Sequence, residues 1–288
     1  MQKINKLLVV IEPELMESLA LKRAKQIAKK TKTTTLHLLI CDKEDKHAAL
    51  LDVLVSALKA DGVTASSERS WHESKHQTII RAQQAEDCDL VIKQHIPDNP
   101  LKKLLLTPED WKLLRYCTAP VLLAKHAADW DNGVVLTAVD VGNDDADHME
   151  LHKSIVDAGF EIASLVKGKL HVVSAYPAPM LAAVEAAYPI ETEYEAIYRK
   201  ACEGFQKQYD IDGSCLHVEE GPADVIIPRV ADELHAAVTV MGTVARTGFS
   251  GALIGNTAEV VIDKLKSDIL VLKPEEMTRQ LEKLASKH

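Results

Sequence analysis

The chain has 288 residues, 47% hydrophobic and 4% aromatic, with 43 acidic against 34 basic side chains and a formal net charge of −9. That length suits about two domains and the apolar share suits packed cores, which argues against wholesale disorder. The acidic balance argues against nucleic acid or an anionic membrane as a main partner, because both need clustered Lys and Arg.

No apolar run approaches the roughly 18 residues of a spanning helix. The N-terminal apolar run, residues 7–11, is too short for the hydrophobic region of a signal peptide. Five cysteines, an odd number without CxxC spacing, read as buried thiols in a reducing compartment. A cytoplasmic protein is expected.

In chain order, residues 7–11 read as a strand ending at Glu12. A helix is expected over residues 14–30, with Met16, Leu19, Ala20, Ala24 and Ile27 apolar. Residues 35–40 read as a strand, 46–59 as a helix and 64–71 as a weaker strand. A helix over 76–85 and a strand over 90–93 follow. Thr107-Pro108-Glu109-Asp110 is a helix start, with Thr as N-cap and Pro at the first helical position. The strand PVLLAK, residues 120–125, closes this series.

A second series opens with VVLTAVD, residues 134–140, which like the first strand ends in an acid, Asp140. Leu151, Ile155, Ala158, Ile162 and Leu165 then mark one face of a helix over 148–166. TVMG, residues 239–242, and DILVLK, residues 268–273, match DLVIK and PVLLAK of the first series. Thirteen residues separate Gln94 from Thr107 and also Gly242 from Gly255, and 18 separate Thr107 from Lys125 and Gly255 from Lys273. The offset is 148 there but 128 between Glu12 and Asp140, so about 20 extra residues lie early in the second copy. The chain is a tandem duplication with units over residues 1–128 and 133–288, meeting at the Asn-Gly turn of residues 129–133. Short apolar runs alternating with helices predict an α/β fold: two tandem open, parallel five-stranded sheets with helices on both faces. Ligands in such sheets sit beyond the strand C-termini, where the strand order reverses.

The richest loop follows residue 241: Gly242, Gly248, Gly251 and Gly255 fall within 14 residues. Glycines of this kind let the backbone approach a phosphate, and a helix starting near Asn256 would aim free N–H groups at it. A bland reading stands beside this one: Asn256 and Glu259 form a capping-box pair, and Gly255 only turns the chain.

This loop, its helix and the last strand resemble the signature of the universal stress protein family. Nucleotide-binding members carry G-x2-G-x9-G-[ST] after the fourth strand of an open α/β sheet. Here the pattern reads Gly242, Ala245, Gly255 and Asn256. Asp140 matches an acidic position near the nucleotide, and Gly221-Pro222 before a helix also resembles the family pattern. The resemblance spans nearly the whole chain and is to the tandem, two-domain type, with the units paired through their last strands as an internal pseudo-dimer. It implies a Rossmann-like, stress-responsive binding protein with ATP and magnesium as ligand in the second unit. The implied residues are Asp140, Val141, Gly242, Thr243, Ala245, Arg246, Gly255, Asn256 and Thr257. Ala245 stands where the family has glycine, and Asn256 where it has Ser or Thr. The first unit has Gln94, Pro97, Thr107 and Pro108 there and no glycine, so it reads as a degenerate copy kept for packing.

Other motifs divide differently. HESKH, with His72 and His76, matches H-E-x-x-H, but Trp71 ends a strand and Ser74 caps the next helix, so a zinc peptidase is not expected and the two histidines stand only as weak candidates for adventitious metal binding. The remaining histidines read as scattered over the surface. Residues 175–190, including Tyr176, Pro177, Met180 and Leu181, form an apolar insertion that covers the sheet or lines a pocket for a lipid-like ligand. A nucleotide hydrolase or transferase using Asp140 as metal ligand is a third alternative. No set of nucleophile, base and oxyanion donors supports an enzyme. The expected partners are a small molecule and the other unit, with further homodimerisation left open.

Overall fold

The structure, a computed structural model, describes residues 4–31, 34–44, 46–97, 105–142, 146–176, 191–243 and 255–285. The first half contains β1 (Lys6–Val10), α1 (Leu19–Thr31), β2 (Thr35–Cys41), α2 (Ala48–Ala60) and β3 (Ala65–Ser70). It continues with α3 (Lys75–Ala85), β4 (Leu90–Gln94), α4 (Pro108–Tyr116) and β5 (Val121–Ala124). The second half repeats the alternation with β6 (Val134–Ala138), α5 (Ala146–Val166), β7 (Lys169–Tyr176), α6 (Glu191–Tyr209) and β8 (Leu216–Glu220). It ends with α7 (Ala223–Glu233), β9 (Val238–Gly242), α8 (Asn256–Lys264), β10 (Asp268–Leu272) and α9 (Glu275–Ala285).

The two expected five-stranded sheets are joined into one ten-stranded sheet, ordered β3-β2-β1-β4-β5-β10-β9-β6-β7-β8. Within each half all pairs are parallel. At the seam β5 and β10 run antiparallel, with Leu123 opposite Ile269, Leu122 opposite Leu270 and Val121 opposite Val271. Both strands are fully buried, so the seam removes two apolar edges that would otherwise invite pairing between chains. Two apolar layers sandwich the sheet. One takes Ala20, Ala24 and Ile27 of α1 and Leu151 and Ile155 of α5. The other takes Ile79 of α3, Leu113 of α4, Ile227 of α7 and Val261 of α8.

A buried polar cluster fixes the crossing between halves. Asp268 at the start of β10 accepts Arg23 Nε at 2.6 Å, Trp130 Nε1 at 2.8 Å and the Lys125 N–H at 2.7 Å. Arg23 also donates to the carbonyls of His126 and Ala128 at 2.8 and 2.7 Å, and its guanidinium lies 4.8 Å from the Trp130 ring centroid. Every polar atom of this clamp is engaged, which keeps an ion pair tolerable in the dry interior.

Several expectations need correction. The first helix begins at Leu19 rather than residue 14. Ser18 caps it, accepting the Leu21 N–H on Oγ at 3.2 Å, and Met16 is left fully exposed before it. The histidines are not confined to the surface: His37, His76, His95 and His152 are buried. Gly255, not Asn256, is the N-cap of α8, so the expected capping box is absent there. Three thiols, Cys88, Cys117 and Cys202, are buried, while Cys41 and Cys215 are partly covered. Among the described residues no helix is long and apolar enough to cross a membrane.

Candidate functional site

In each half, neighbouring strands that lead into helices on opposite faces open a crevice beyond their C-terminal ends. In the second half these strands are β6 and β9, paired up to Ala138 and Met241. Asp140, Val141 and Gly142 extend beyond β6, while Gly242 ends β9 and Thr243 follows it. Gly255, Asn256 and Thr257 start α8.

The turn after β6 is held through its backbone. The Asp140 N–H donates to His152 Nε2 at 3.3 Å, and the Val141 N–H to Ser174 Oγ at 3.2 Å. Burial pushes the His152 imidazole down to about 4, against the pull of Asp140, so at neutral pH its Nε2 is an acceptor. Asp140 itself is exposed, and its Oδ1 receives the Gly142 N–H at 3.2 Å and the Tyr198 hydroxyl at 3.4 Å.

Gly242 is glycine for a packing reason. A Cβ there would lie 2.5 Å from Leu151 Cδ2 and 3.1 Å from Ile155 Cδ1, both on α5. Thr243 is fully buried and donates its N–H to the Leu272 carbonyl at 2.9 Å, which ties the loop root to β10. At the head of α8, Gly255 has φ −63°, so it turns the chain without a left-handed conformation and brings no capping side chain. The first-turn N–H groups there, with exposed Asn256 and Thr257, are donors of the kind that anions take. Gly221 does need its freedom, with φ +137° before α7. Ala245 and Arg246 of the glycine loop, and Pro177, Met180 and Leu181 of the apolar insertion, lie outside the described residues. Tyr176 closes β7 and packs 5.2 Å from Tyr198, centroid to centroid.

The equivalent crevice of the first half is filled by its own side chains. Asp110, fully buried, accepts Lys93 Nζ at 2.7 Å and pairs with His95 Nδ1 at 3.0 Å. It also completes the capping box at the start of α4, with Thr107 Oγ1 accepting the Asp110 N–H at 3.2 Å. Burial pushes the Asp110 carboxyl up, but the bonds from His95 and Lys93 and the Lys93 charge win and hold it well below the usual carboxylate range. Glu12, the counterpart of Asp140, accepts Lys75 Nζ at 2.5 Å. Gln94 takes the Leu19 N–H at 2.8 Å. Lys93, His95 and Asp110 together form what the first half offers in place of glycines.

The two histidines of HESKH are not on one helical face. His72 precedes α3, and Ser74 caps that helix, accepting the Gln77 N–H. His76 Nδ1 faces Glu109 at 2.9 Å, while His72 Nδ1 faces Arg81 at 3.3 Å. His152 and Tyr198 carried no sequence signal, because each reaches Asp140 from a helix whose crossing the sequence does not state.

A doubly wound sheet duplicated in one chain, with a crevice beside a glycine-capped helix, defines a class of tandem α/β proteins. The sequence profile of the universal stress protein family matches residues 40–125 and 134–273. The chain belongs to that family. It is 35% identical over 225 residues to universal stress protein E of Photorhabdus laumondii, covering 74% of this chain and 70% of that one. A universal stress protein E homolog of Haemophilus influenzae is 30% identical, over 94% of this chain and 98% of its own. A solved structure of a functionally unknown protein from Pseudomonas aeruginosa PAO1 superposes with TM-score 0.91 at 54% identity, covering 100% and 99% of the two chains. A universal stress protein from Archaeoglobus fulgidus shares the fold at TM-score 0.67 and 17% identity, over 94% and 99%.

Proposed function

We propose that this chain is a non-catalytic, cytoplasmic stress-response protein that binds a nucleotide, ATP or a close relative with magnesium, in its second unit, residues 133–288. The first unit, residues 1–128, serves as a structural partner. One observation carries the reading: α4 begins with its own carboxylate, Asp110, whereas α8 begins with a bare glycine cap. A phosphate at the head of α8 would meet the backbone N–H groups of its first turn, whose acid, Glu259, is paired with Arg115. Asp140, exposed at the adjoining strand end, would accept a ligand hydroxyl or face the magnesium ion.

The test is calorimetric titration of the full chain with ATP and magnesium, alongside a variant with Asp140→Asn and Thr257→Val. Saturable binding that weakens at least tenfold in the variant supports the proposal. No heat at millimolar ATP, in protein first freed of bound ligand, ends it.

A further inference from the structure

The space over the turn that follows β6 is occupied by a side chain of α6. A Cβ built on Gly142 would lie 2.2 Å from Tyr198 Cζ and 2.4 Å from its hydroxyl oxygen, so the phenol ring lies directly on the Gly142 backbone. The hydroxyl donates to Asp140 Oδ1 at 3.4 Å. Tyr176, from the end of β7, stands behind it with ring planes inclined at 35°. Tyr198 therefore covers the strand end and engages the carboxylate that a ligand in this crevice would use.

We propose that Tyr198 is an internal competitor for the ligand of the second unit: it sets the affinity of the site, and a ligand must displace it to reach Asp140. This rests on the reading that the ligand binds at Asp140. Two features support displacement over permanent closure. The hydroxyl contact is long, near the limit of a hydrogen bond, so breaking it costs little. Tyr198 and Asp140 are both in contact with solvent, so each can exchange this bond for one with water or with a ligand hydroxyl. The ring contact needs a glycine at 142, although Gly142 does not have the positive φ that would itself demand one. The first half lacks the device: the position matching Gly142 is Glu14, whose carboxylate faces His47 Nε2 at 3.8 Å.

The experiment compares ATP affinity, with magnesium, of the full-length wild type, Tyr198→Phe, Tyr198→Ala and Gly142→Ala, each checked for an unchanged circular dichroism spectrum. Tyr198→Ala is expected to bind at least fivefold more tightly, and Tyr198→Phe about twofold. Gly142→Ala, whose methyl dislodges the ring without altering the tyrosine, is expected to follow Tyr198→Ala. A gain of affinity cannot arise from misfolding. If the wild type binds and Tyr198→Ala binds equally or more weakly, the competitor role is overturned and the nucleotide reading stands. If neither wild type nor Tyr198→Ala binds, both fall.

Discussion

The two halves share a strand order, yet their crevices are built on opposite terms. In the first, the anion at the head of α4 is Asp110, covalently part of the chain and saturated by Lys93, His95 and the Thr107 cap. In the second, the head of α8 has no side-chain cap, and the acid beside it, Asp140, is exposed. A duplicated fold can thus convert one site into core by supplying its own counter-charges, while the matching helix of the other copy starts without a side-chain cap. The seam shows the same asymmetry. Lys125, leaving β5, reaches the last-turn carbonyls of α8, Ile262 and Leu265, at 3.3 and 2.6 Å. Its counterpart Lys273, leaving β10, has a buried Nζ with no hydrogen-bond partner among the described residues.

The strongest way to break this contrast is Asp110→Ala. It leaves Lys93 and His95 buried without their carboxylate, and a loss of about 3–5 kcal/mol in urea unfolding is expected. The pH dependence has a definite sign. Asp110 is depressed in the folded chain, so its contribution is present above the ordinary value of 3.8 and fades as pH falls below it. The Asp110→Ala variant should lack that part of the acid transition. An unchanged urea midpoint would show that the first crevice is not held by its ions.

Gly242→Ala tests whether the second crevice is set by packing. Its methyl would collide with Leu151, and a loss of about 1–3 kcal/mol is expected, with the Leu151→Ala double variant losing less than the sum of the two single losses. Additive losses would place the cost elsewhere.

The lysines should respond in opposite directions. Lys273→Met is expected to stabilise by about 1–3 kcal/mol at pH 7, because it removes a buried cation without a hydrogen bond. Lys125→Met gives up two helix-end bonds and is expected to cost about 1 kcal/mol. Burial lowers Lys273 from 10.5 to about 8, so the unfolded chain binds the proton more tightly and stability rises with pH between those values. Lys273→Met should flatten that rise. Lys125 is lowered to about 8 as well, again chiefly by burial, so part of the slope remains.

Local order was readable in the sequence because it depends on neighbours in the chain. Thr107 and Pro108 announced the start of α4, Ser74 the cap of α3, and the spacing of Leu151, Ile155 and Ala158 the buried face of α5. At the head of α8 the bland alternative fails: Asn256 and Glu259 have capping-box spacing, but Gly255 holds the cap position. The residues around Asp140 illustrate the limit more sharply. His152 is 12 positions away and Tyr198 is 58, and no periodicity links either to a strand end.

The sequence by itself determined a duplicated α/β chain and which half kept its glycines. These follow from composition, period and spacing, which act over a few residues. Tertiary structure alone decided that Asp268 would clamp Arg23, 245 positions away, that Leu151 would demand glycine at 242, and that Tyr198 would lie on Gly142. Such choices depend on which helices cross, and burial enforces them: a polar group or a methyl in the wrong place costs energy only once the elements have packed.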